Sequence, residues 1–406
     1  MSKENIVVGM EIGTTKVCVA VADLRADGSL KVLGFGQSPS LGVRKGEIVH
    51  METVHKCVRD AVADAEQKSD VSIRSVYVGI TGGHISSFNN RGVVELPEDR
   101  DEIDEDDLEE VKRNARDVNI PSQNAFLHAI IQHYYVDGQD GVLTPVGMLG
   151  TKLEADYHIV HGIRTRVQNT IRCIKEIPLE VEDVVLNSLA SAQVVVSQNQ
   201  KNLGVLVIDM GGGTIDYLVY VDGAIKQSGV IPVGGDHVTN DVSLGLRIPA
   251  GRAERLKIDE GSAILGNCLP GETLHLPPEP GFAGREIERE TLNSIVHFRL
   301  REAFELLKRQ LEAEPYLRYL GAGAVLTGGC SLVHGVNHLA EEILGLPVQP
   351  AQPPPLQGVT AALANPQLST ALGLIKYAQF AQMERPETTF WSRLCGKLFG
   401  GGRRAN

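Results

Sequence analysis

A pattern that occurs twice in the sequence constrains the fold more than any other feature. Residues 6–15 are IVVGMEIGTT and residues 205–214 are VLVIDMGGGT: an apolar strand, a carboxylate, then a glycine turn that ends in threonine. The two carboxylates, Glu11 and Asp209, are 198 positions apart in a chain of 406 residues. Apolar runs that end in glycine turns are typical of buried strands. We therefore predict two similar half-domains that face each other across a cleft.

Composition excludes several classes of protein. The chain has 51 Asp+Glu against 39 Lys+Arg, a formal charge of -12, which argues against broad capture of nucleic acid. Its six cysteines form neither a C-x-x-C pair nor a compact His/Cys cluster, so they favour a reducing cytoplasm over a zinc site or a disulfide framework. We expect no signal peptide, and no apolar run of about eighteen residues predicts a bilayer-spanning helix.

The first eighty residues alternate strand and helix patterns. Runs at 6–9, 17–21, 31–35 and 75–80 predict strands, and apolar residues at helical spacing between Val54 and Ala65 predict a helix. Ten of the thirteen residues at 98–110 are acidic, which is typical of a solvated helix N-terminus. The segment at about 83–161 then predicts a separate small α/β unit that interrupts the first half-domain.

The two glycine turns are suited to binding phosphate. Without Cβ atoms, several backbone N–H groups converge closely on a ligand. The candidate phosphate-binding residues are Gly13, Thr14, Thr15, Lys16, Gly211, Gly212, Gly213 and Thr214. Carboxylates repel phosphates, so we expect Glu11 and Asp209 to act through a bridging Mg²⁺ held partly by water.

A third strand ends in paired glycines, Gly328 and Gly329, which let a flat ring lie against the backbone. Glu254 and Lys257 share one helix face, and they are equally compatible with a surface ion pair and with hydrogen bonds to a ribose and an adenine. Neither a P-loop nor a dinucleotide-binding glycine motif is present.

Together these elements resemble the three nucleotide motifs of the actin, DnaK-chaperone and sugar-kinase superfamily. More narrowly, residues 42–49 (GVRKGEIV), 207–214 (VIDMGGGT) and 326–329 (LTGG) resemble the FtsA family of actin-like bacterial cell-division proteins. The resemblance implies an actin-like two-lobed α/β ATPase fold that binds ATP and Mg²⁺ between its lobes. It also implies assembly into filaments, binding of the tubulin-like division protein FtsZ, and other division partners on the inserted subdomain.

The resemblance also sets the predicted boundaries. The first lobe core occupies 1–82 and 162–196, with closing helices at 358–382, and the inserted small α/β subdomain occupies 83–161. The second lobe core occupies 197–231 and 309–357, with an outer subdomain at 232–308. A linker at 383–389 leads to a tail at 390–406.

Two departures from the superfamily bear on activity. Glu11 stands where most members have Asp, a change that water-mediated contact with Mg²⁺ tolerates. Asn187 stands where many chaperones have Glu, and an amide cannot act as a general base. We therefore expect at most slow ATP hydrolysis, with ATP serving mainly to hold a conformation.

The tail predicts a membrane-binding helix. At about 100° per residue, Phe390, Trp391, Leu394, Leu398 and Phe399 fall on one half of a helix, and Arg393 and Lys397 on the other. Such a helix lies in the headgroup layer of an anionic membrane. This predicts a peripheral protein on the cytoplasmic face of the membrane at the division site. The candidate FtsZ contacts are Arg299, Arg301 and Glu305, on a helix of the outer subdomain.

Other functions remain open from the sequence. A small-molecule kinase of the same superfamily would need a carboxylate base, for which Asp209 or Asp216 is a candidate, but it has no use for an amphipathic tail. A chaperone would need a substrate-binding domain after the second lobe. A cytoplasmic scaffold of the PilM or MreB type is nearer; the tail disfavours the first and the inserted unit disfavours the second.

Overall fold

A five-stranded sheet forms the core of the first lobe. The computed structural model describes residues 6–278, 282–352, 356–358 and 364–383. Strands β1 (Ile6–Ile12), β2 (Lys16–Leu24), β3 (Leu30–Pro39), β6 (Ser75–Ile80) and β11 (Glu180–Leu186) lie in the order β3-β2-β1-β6-β11. The first three strands are antiparallel, whereas β1, β6 and β11 run parallel. A short hairpin, β4 (Val43–Arg44) and β5 (Glu47–Ile48), precedes α1 (Met51–Ser69).

The second lobe repeats this topology. Strands β12 (Val205–Met210), β13 (Ile215–Val221), β14 (Ala224–Ile231), β17 (Ala324–Thr327) and β18 (Val348–Pro350) lie in the order β14-β13-β12-β17-β18. Again three antiparallel strands continue into parallel ones. Because β12 takes the place of β1, Glu11 and Asp209 occupy equivalent strands. The predicted duplication and the two-lobed α/β fold are confirmed.

Two helices lie between the sheets and join them. α4 (Asn187–Val195) and α10 (Ser369–Met383) share one core with residues of both sheets, including Val7 on β1 and Val207 on β12. They cross so closely that a Cβ on Gly373 would lie 1.9 Å from the carbonyl oxygen of Ala190. The helix α5 (Gln198–Leu203) then leads into the second lobe.

Helices cover the outer face of each sheet. α1 and α3 (Arg164–Lys175) pack on the first sheet, whose outer core contains Val8, Val58 and Ile174. α6 (Gly235–Leu246), α7 (Ala250–Glu260), α8 (Arg289–Leu311) and α9 (Val336–Leu344) cover the second. A hairpin of β15 (Thr273–Leu276) and β16 (Arg285–Glu288) precedes α8, and 3-10 turns lie at Pro315–Tyr319, Gly329–Leu332 and Pro366–Leu368.

The inserted subdomain has one sheet and one helix. Strands β7 (Ile85–Glu95), β8 (Asn124–Val136), β9 (Gln139–Val142) and β10 (Lys152–Ile163) lie in the order β7-β10-β8-β9, and α2 (Glu105–Arg116) packs on them. The acidic run does begin this helix, as predicted. Asp104 accepts a hydrogen bond from the Asp107 N–H at 3.0 Å, and Asp107 accepts one from the Asp104 N–H at 3.0 Å.

The inserted subdomain also contacts the second lobe, where polar side chains meet the outer edge of β14. The Ser87 hydroxyl donates to the Ser228 carbonyl at 2.7 Å, and the Asn89 amide donates to the Lys226 carbonyl at 2.9 Å. His158, which is buried, lies 2.8 Å from both Asn89 Oδ1 and Ser228 Oγ. These side chains provide hydrogen-bond partners for backbone groups at the edge of the second sheet, but no strand of the inserted subdomain joins that sheet.

Within the described residues, no helix combines the length and the apolar character that crossing a bilayer requires. The predicted tail at 390–406 lies outside the described residues, as does nearly all of the predicted linker at 383–389.

Candidate functional site

A cavity of about 500 Å³ opens between the lobes where β1 and β12 end. Its lining includes all of the predicted site residues of both glycine turns, both predicted metal-site carboxylates, the Glu254–Lys257 pair and Gly329. Segments that lie far apart in the sequence therefore converge on one cleft.

The two glycine turns share one geometry and touch each other. The Gly13 N–H donates to the Lys16 carbonyl at 2.9 Å, and the Gly211 N–H donates to the Thr214 carbonyl, also at 2.9 Å. A Cβ on Gly213 would lie 2.2 Å from Thr14 Oγ1, which is too close for any side chain. Glycine at this position therefore permits the close approach of the two turns.

Three carboxyl groups gather behind the turns. Asp209 accepts a hydrogen bond from the Thr370 hydroxyl at 2.9 Å, and burial, together with the charge of Glu11, raises its pKa to about 6. Asp216 accepts from Thr81 at 2.5 Å and from Thr214 at 2.8 Å. Burial raises the pKa of Asp216 to about 8. Near neutral pH the site thus holds carboxyl groups that favour either a proton or a nearby cation.

The oxygen donors at this position fit the predicted Mg²⁺. Glu11 Oε2 is buried without a hydrogen-bond partner, and Lys16 Nζ lies 3.7 Å from it while donating to the Gln367 carbonyl. Carboxylate oxygen is the ligand type that Mg²⁺ prefers. In the part of the chain that the structure describes, no three His, Cys, Asp or Glu side chains meet closely enough to hold a metal directly. Contact of Glu11 and Asp209 with the metal through water stays a prediction.

The other end of the cleft is formed by α7 and the turn after β17. Lys257 is only 7% exposed, and its Nζ lies 2.6 Å from Glu254 Oε2, 2.9 Å from Thr239 Oγ1 and 3.2 Å from the Gly235 carbonyl. The lysine of this pair is buried, whereas 37% of the Glu254 side chain is exposed, so the pair is intermediate between a buried and a surface ion pair. Ile258 and Leu332 also line this end and leave 66% and 58% of their surface exposed.

The two glycines after β17 have different surroundings. Gly329 lines the cavity, and a Cβ there would come no nearer than 3.8 Å to another atom. Gly328 has φ +85°, and a Cβ there would lie 2.5 Å from the Met210 carbonyl oxygen and 2.6 Å from Asp209 Oδ1. The structure therefore places Gly328 against β12, beside Asp209 and outside the cavity lining.

Several lining residues carry no sequence pattern that would reveal them. Thr81 follows β6, Gln367 and Thr370 come from the last described segment, and Asp236 lies in the first turn of α6. Asn187 begins α4 and also lines the cavity; its Oδ1 is buried without a partner, and a Cβ on Gly79 would lie 2.4 Å from it. For Asn187 the available sequence signal was its place where many chaperones have Glu, whereas the positions of the others depend on how the lobes pack.

The predicted FtsZ contacts lie on α8, at its outer side. Arg299 forms an ion pair with Asp241 of α6 at 2.5 Å, and Arg301 lies 3.4 Å from Glu342 of α9. At 100° per residue they flank a strip on which Phe298, 59% exposed, and Glu305 lie. The three residues therefore belong to one surface, with the two arginines at its margins.

Comparison with known proteins decides the family. A family model described as "Cell division protein FtsA" matches residues 206–373, and one described as "SHS2 domain inserted in FTSA" matches residues 82–161. A cell division protein FtsA from Pseudomonas aeruginosa is 40% identical over 372 residues, which cover 92% of this chain and 89% of that protein. The chain belongs to the FtsA family of bacterial cell-division proteins. The resemblance found in its motifs is confirmed.

Other relatives and solved structures agree. The FtsA proteins of Neisseria meningitidis and Escherichia coli K12 are 37% and 33% identical, over 91% and 92% of this chain and 89% and 90% of theirs. A PilM–PilN type IV pilus biogenesis complex matches with a TM-score of 0.65 at 13% identity, covering 92% of this chain and 98% of that one. MreB5 of Spiroplasma citri bound to ADP matches with 0.53 at 14%, covering 98% and 99%. At such identities the structures support the fold alone.

Proposed function

We propose that this FtsA-family chain binds ATP between its lobes, assembles into actin-like filaments and tethers FtsZ to the cytoplasmic face of the bacterial membrane at the division site. The observation that carries the nucleotide part is the single cleft lined by both glycine turns and by the Glu254–Lys257 pair. A cleft of about 500 Å³ is within the usual size of a small-molecule site. MreB5 of Spiroplasma citri, which has a related fold, was solved with ADP and with AMPPNP.

The phosphate groups would bind at the paired turns, where backbone N–H groups and Lys16 lie. Glu11 and Asp209 would hold Mg²⁺ through water, and the ion when bound would offset the charge between the carboxylates and the phosphates. The raised pKa of Asp209 reflects the cost of burying this charge, a cost that a bound cation would reduce.

The nucleoside would bind at the α7 end. Glu254 accepts hydrogen bonds and so suits ribose hydroxyls, and the buried ammonium of Lys257 suits an acceptor nitrogen of the base. Ile258 and Leu332 line this end of the cleft and offer apolar surface to the ring. Burial of that surface against a flat base would stabilise binding.

Hydrolysis would be slow, because Asn187 supplies an amide where a carboxylate base would be useful. Asp216 is the alternative base, but its burial raises its pKa and so favours the protonated form, which cannot accept a proton. The nucleotide would then serve chiefly to hold the two lobes in one arrangement. Turnover of many ATP per second by the purified chain would contradict this part of the proposal.

The membrane and FtsZ parts depend on different segments. The segment at 390–406, with its Trp/Phe/Leu half and its cations, would bind anionic lipid reversibly. The strip on α8 bounded by Arg299 and Arg301 is the surface that we propose for FtsZ. It combines charged groups with the exposed ring of Phe298, a mixture that is typical of a protein-binding surface.

The experiment that tests the nucleotide part is calorimetric titration of the purified chain with ATP, with and without Mg²⁺. Asp209→Asn removes the charge proposed to hold the metal, so we expect ATP affinity to lose its Mg²⁺ dependence. Asp222→Asn, in the exposed turn between β13 and β14, is the matched control and should behave like the natural chain. Failure of the natural chain to bind ATP in the presence of Mg²⁺ would overturn the proposal.

A further inference from the structure

The hairpin of β4 and β5 has no part in the proposed function, although its sequence, GVRKGEIV, is one of the motifs that resemble the family. The hairpin belongs to the first lobe and leads directly into α1. Hydrogen bonds join the two ends of the hairpin: the Gly42 carbonyl, just before β4, accepts from the Val49 N–H at 2.8 Å and from the His50 N–H at 3.1 Å, just after β5. Glu47 forms an ion pair with Arg166 of α3. The base of the hairpin is therefore held firmly to the first lobe.

The tip of the hairpin, Lys45 and Gly46, contacts the glycine turns of both lobes. The Gly46 N–H donates to Thr14 Oγ1 of the first turn at 3.0 Å. On the side of the second turn, a Cβ on Gly213 would lie 2.9 Å from the Cα of Lys45. A Cβ on Gly46 would lie 2.7 Å from Thr81 Cγ2 and 3.3 Å from Thr214 Cγ2. The tip is thus packed between the two elements proposed to bind phosphate.

Lys45 lies at this place in a backbone conformation that lysine rarely adopts. Its φ is +52°, in the left-handed region, and such strain persists where the surrounding structure imposes it. Burial and then the charge of Lys45 lower the pKa of His237, in the first turn of α6 on the second lobe. The charge of a lysine on a first-lobe hairpin therefore acts on a residue of the second lobe that lies beside the cleft.

The charges around the cleft indicate what Lys45 is suited to bind. Lys16 lies near Glu11, and Lys257 contacts Glu254, so both of these cations already have carboxylate neighbours. A third phosphate group adds negative charge at the turns, where Glu11, Asp209 and Asp216 already lie. A flexible ammonium on the hairpin tip can meet that added charge.

We propose that the hairpin tip recognises the terminal phosphate of a nucleoside triphosphate, with Lys45 as the residue that distinguishes the triphosphate from the diphosphate. This inference rests on the proposed nucleotide binding. Since Gly46 joins the first turn and Lys45 lies against the second, the terminal phosphate would also hold the two lobes together through this tip.

The test compares ATP and ADP affinities, each with Mg²⁺, for the natural chain and three variants. Lys45→Asn removes the charge, and asparagine tolerates the left-handed backbone better than most residues, which limits any effect of strain. Lys45→Arg keeps the charge. Arg44→Gln removes a neighbouring cation whose side chain is exposed and is the matched control. Thermal unfolding of each variant checks that it folds.

We expect Lys45→Asn to reduce the ratio of ATP affinity to ADP affinity by about tenfold, the effect of losing one charge-assisted hydrogen bond. ADP affinity should change less than twofold, and Lys45→Arg and Arg44→Gln should keep the natural ratio. An unchanged ratio in Lys45→Asn, or an equal loss of both affinities, would overturn the inference while leaving nucleotide binding intact. A natural chain that binds neither nucleotide would instead overturn the proposed function, and this inference with it.

Discussion

Single residues make the two halves of this molecule chemically different, although their strands have the same arrangement. On β1, Glu11 is paired across the ladder with Cys18, and on β12, Asp209 is paired with Asp216. Burial raises the pKa of Cys18 to about 12, so the first half has a neutral thiol where the second has a carboxyl group. The duplicated pattern in the sequence predicted Glu11 and Asp209. The pattern did not predict the protonation state of Asp216, because that state depends on burial and on Thr81 from the other lobe.

Asp216 should therefore make stability depend on pH. Its folded pKa of about 8 lies above the ordinary carboxyl value of 3.8, so between these values the folded chain binds more protons than the unfolded chain. The contribution is fully present below 3.8 and is lost as pH rises through about 8. The side chain in the Asp216→Asn variant cannot ionise. The free energy of unfolding of this variant should therefore decrease less over that pH range than that of the natural chain, as measured by urea denaturation without nucleotide. An unchanged slope would show that Asp216 ionises normally.

At the scale of elements, the strands were easier to predict than the packing between them. Apolar runs predicted β1, β2, β3 and β6 because buried strands need continuous apolar residues. The position of α10 between the sheets is not encoded locally, because the helix begins 159 positions after the end of β12. For the same reason Thr370, which bonds to Asp209, was missed.

The crossing of α4 and α10 predicts the effect of a small substitution. Gly373→Ala would place a Cβ only 1.9 Å from the Ala190 carbonyl oxygen, so the helices must separate. Such overpacking costs about 1–3 kcal/mol of unfolding free energy. Gly251→Ala, in α7 with nothing within 4 Å of the new Cβ, is the control and should be stabilising by roughly 0.5–1 kcal/mol. Urea denaturation measures both, and equal stabilities would contradict the prediction.

For the whole molecule, the inserted subdomain is a second connection between the lobes. It leaves the first lobe after β6 and returns before α3, yet Ser87, Asn89 and His158 bond to β14 of the second. Burial lowers the pKa of His158 to about 3, so the imidazole stays neutral in this contact. The sequence predicted a separate unit at 83–161 but not this contact, since polar side chains on an edge strand look the same whether or not they meet a neighbour.

Loss of this contact should loosen β14. Asn89→Ala leaves the Lys226 carbonyl without its side-chain donor and also removes a hydrogen-bond partner of the buried His158 ring. We expect faster amide hydrogen exchange across residues 224–231. Asn90→Ala is the matched control, because Asn90 donates at 2.9 Å to the Ala115 carbonyl within the inserted subdomain itself. Its effect should be limited to α2 and β7, and faster exchange of β14 in both variants would contradict an interlobe role for Asn89.

The distribution of charge over the chain determines how it would meet a membrane. Residues 390–406 contain four cations and no acid, which leaves -16 on the first 389 residues of a chain whose total is -12. An anionic membrane would repel this body and attract the tail, and each cation near such a surface contributes about 1 kcal/mol. One tail would bind weakly, whereas a filament that presents many tails would gain roughly 10²–10⁴ in avidity.

Co-sedimentation with anionic vesicles tests this balance. Removal of residues 390–406 should abolish binding, and reversal of Arg393 and Lys397 to Glu should weaken it by more than tenfold, because two attractive charges become repulsive. Reversal of Lys56 and Arg59, exposed on α1, is the control for net charge alone and should have a much smaller effect. Added salt should weaken binding of the natural chain, since the Debye length shortens to about 8 Å at physiological ionic strength.

FtsZ should sediment with the vesicles only when the natural tail is present. Undiminished vesicle binding by the truncated chain would exclude the tail as the membrane tether.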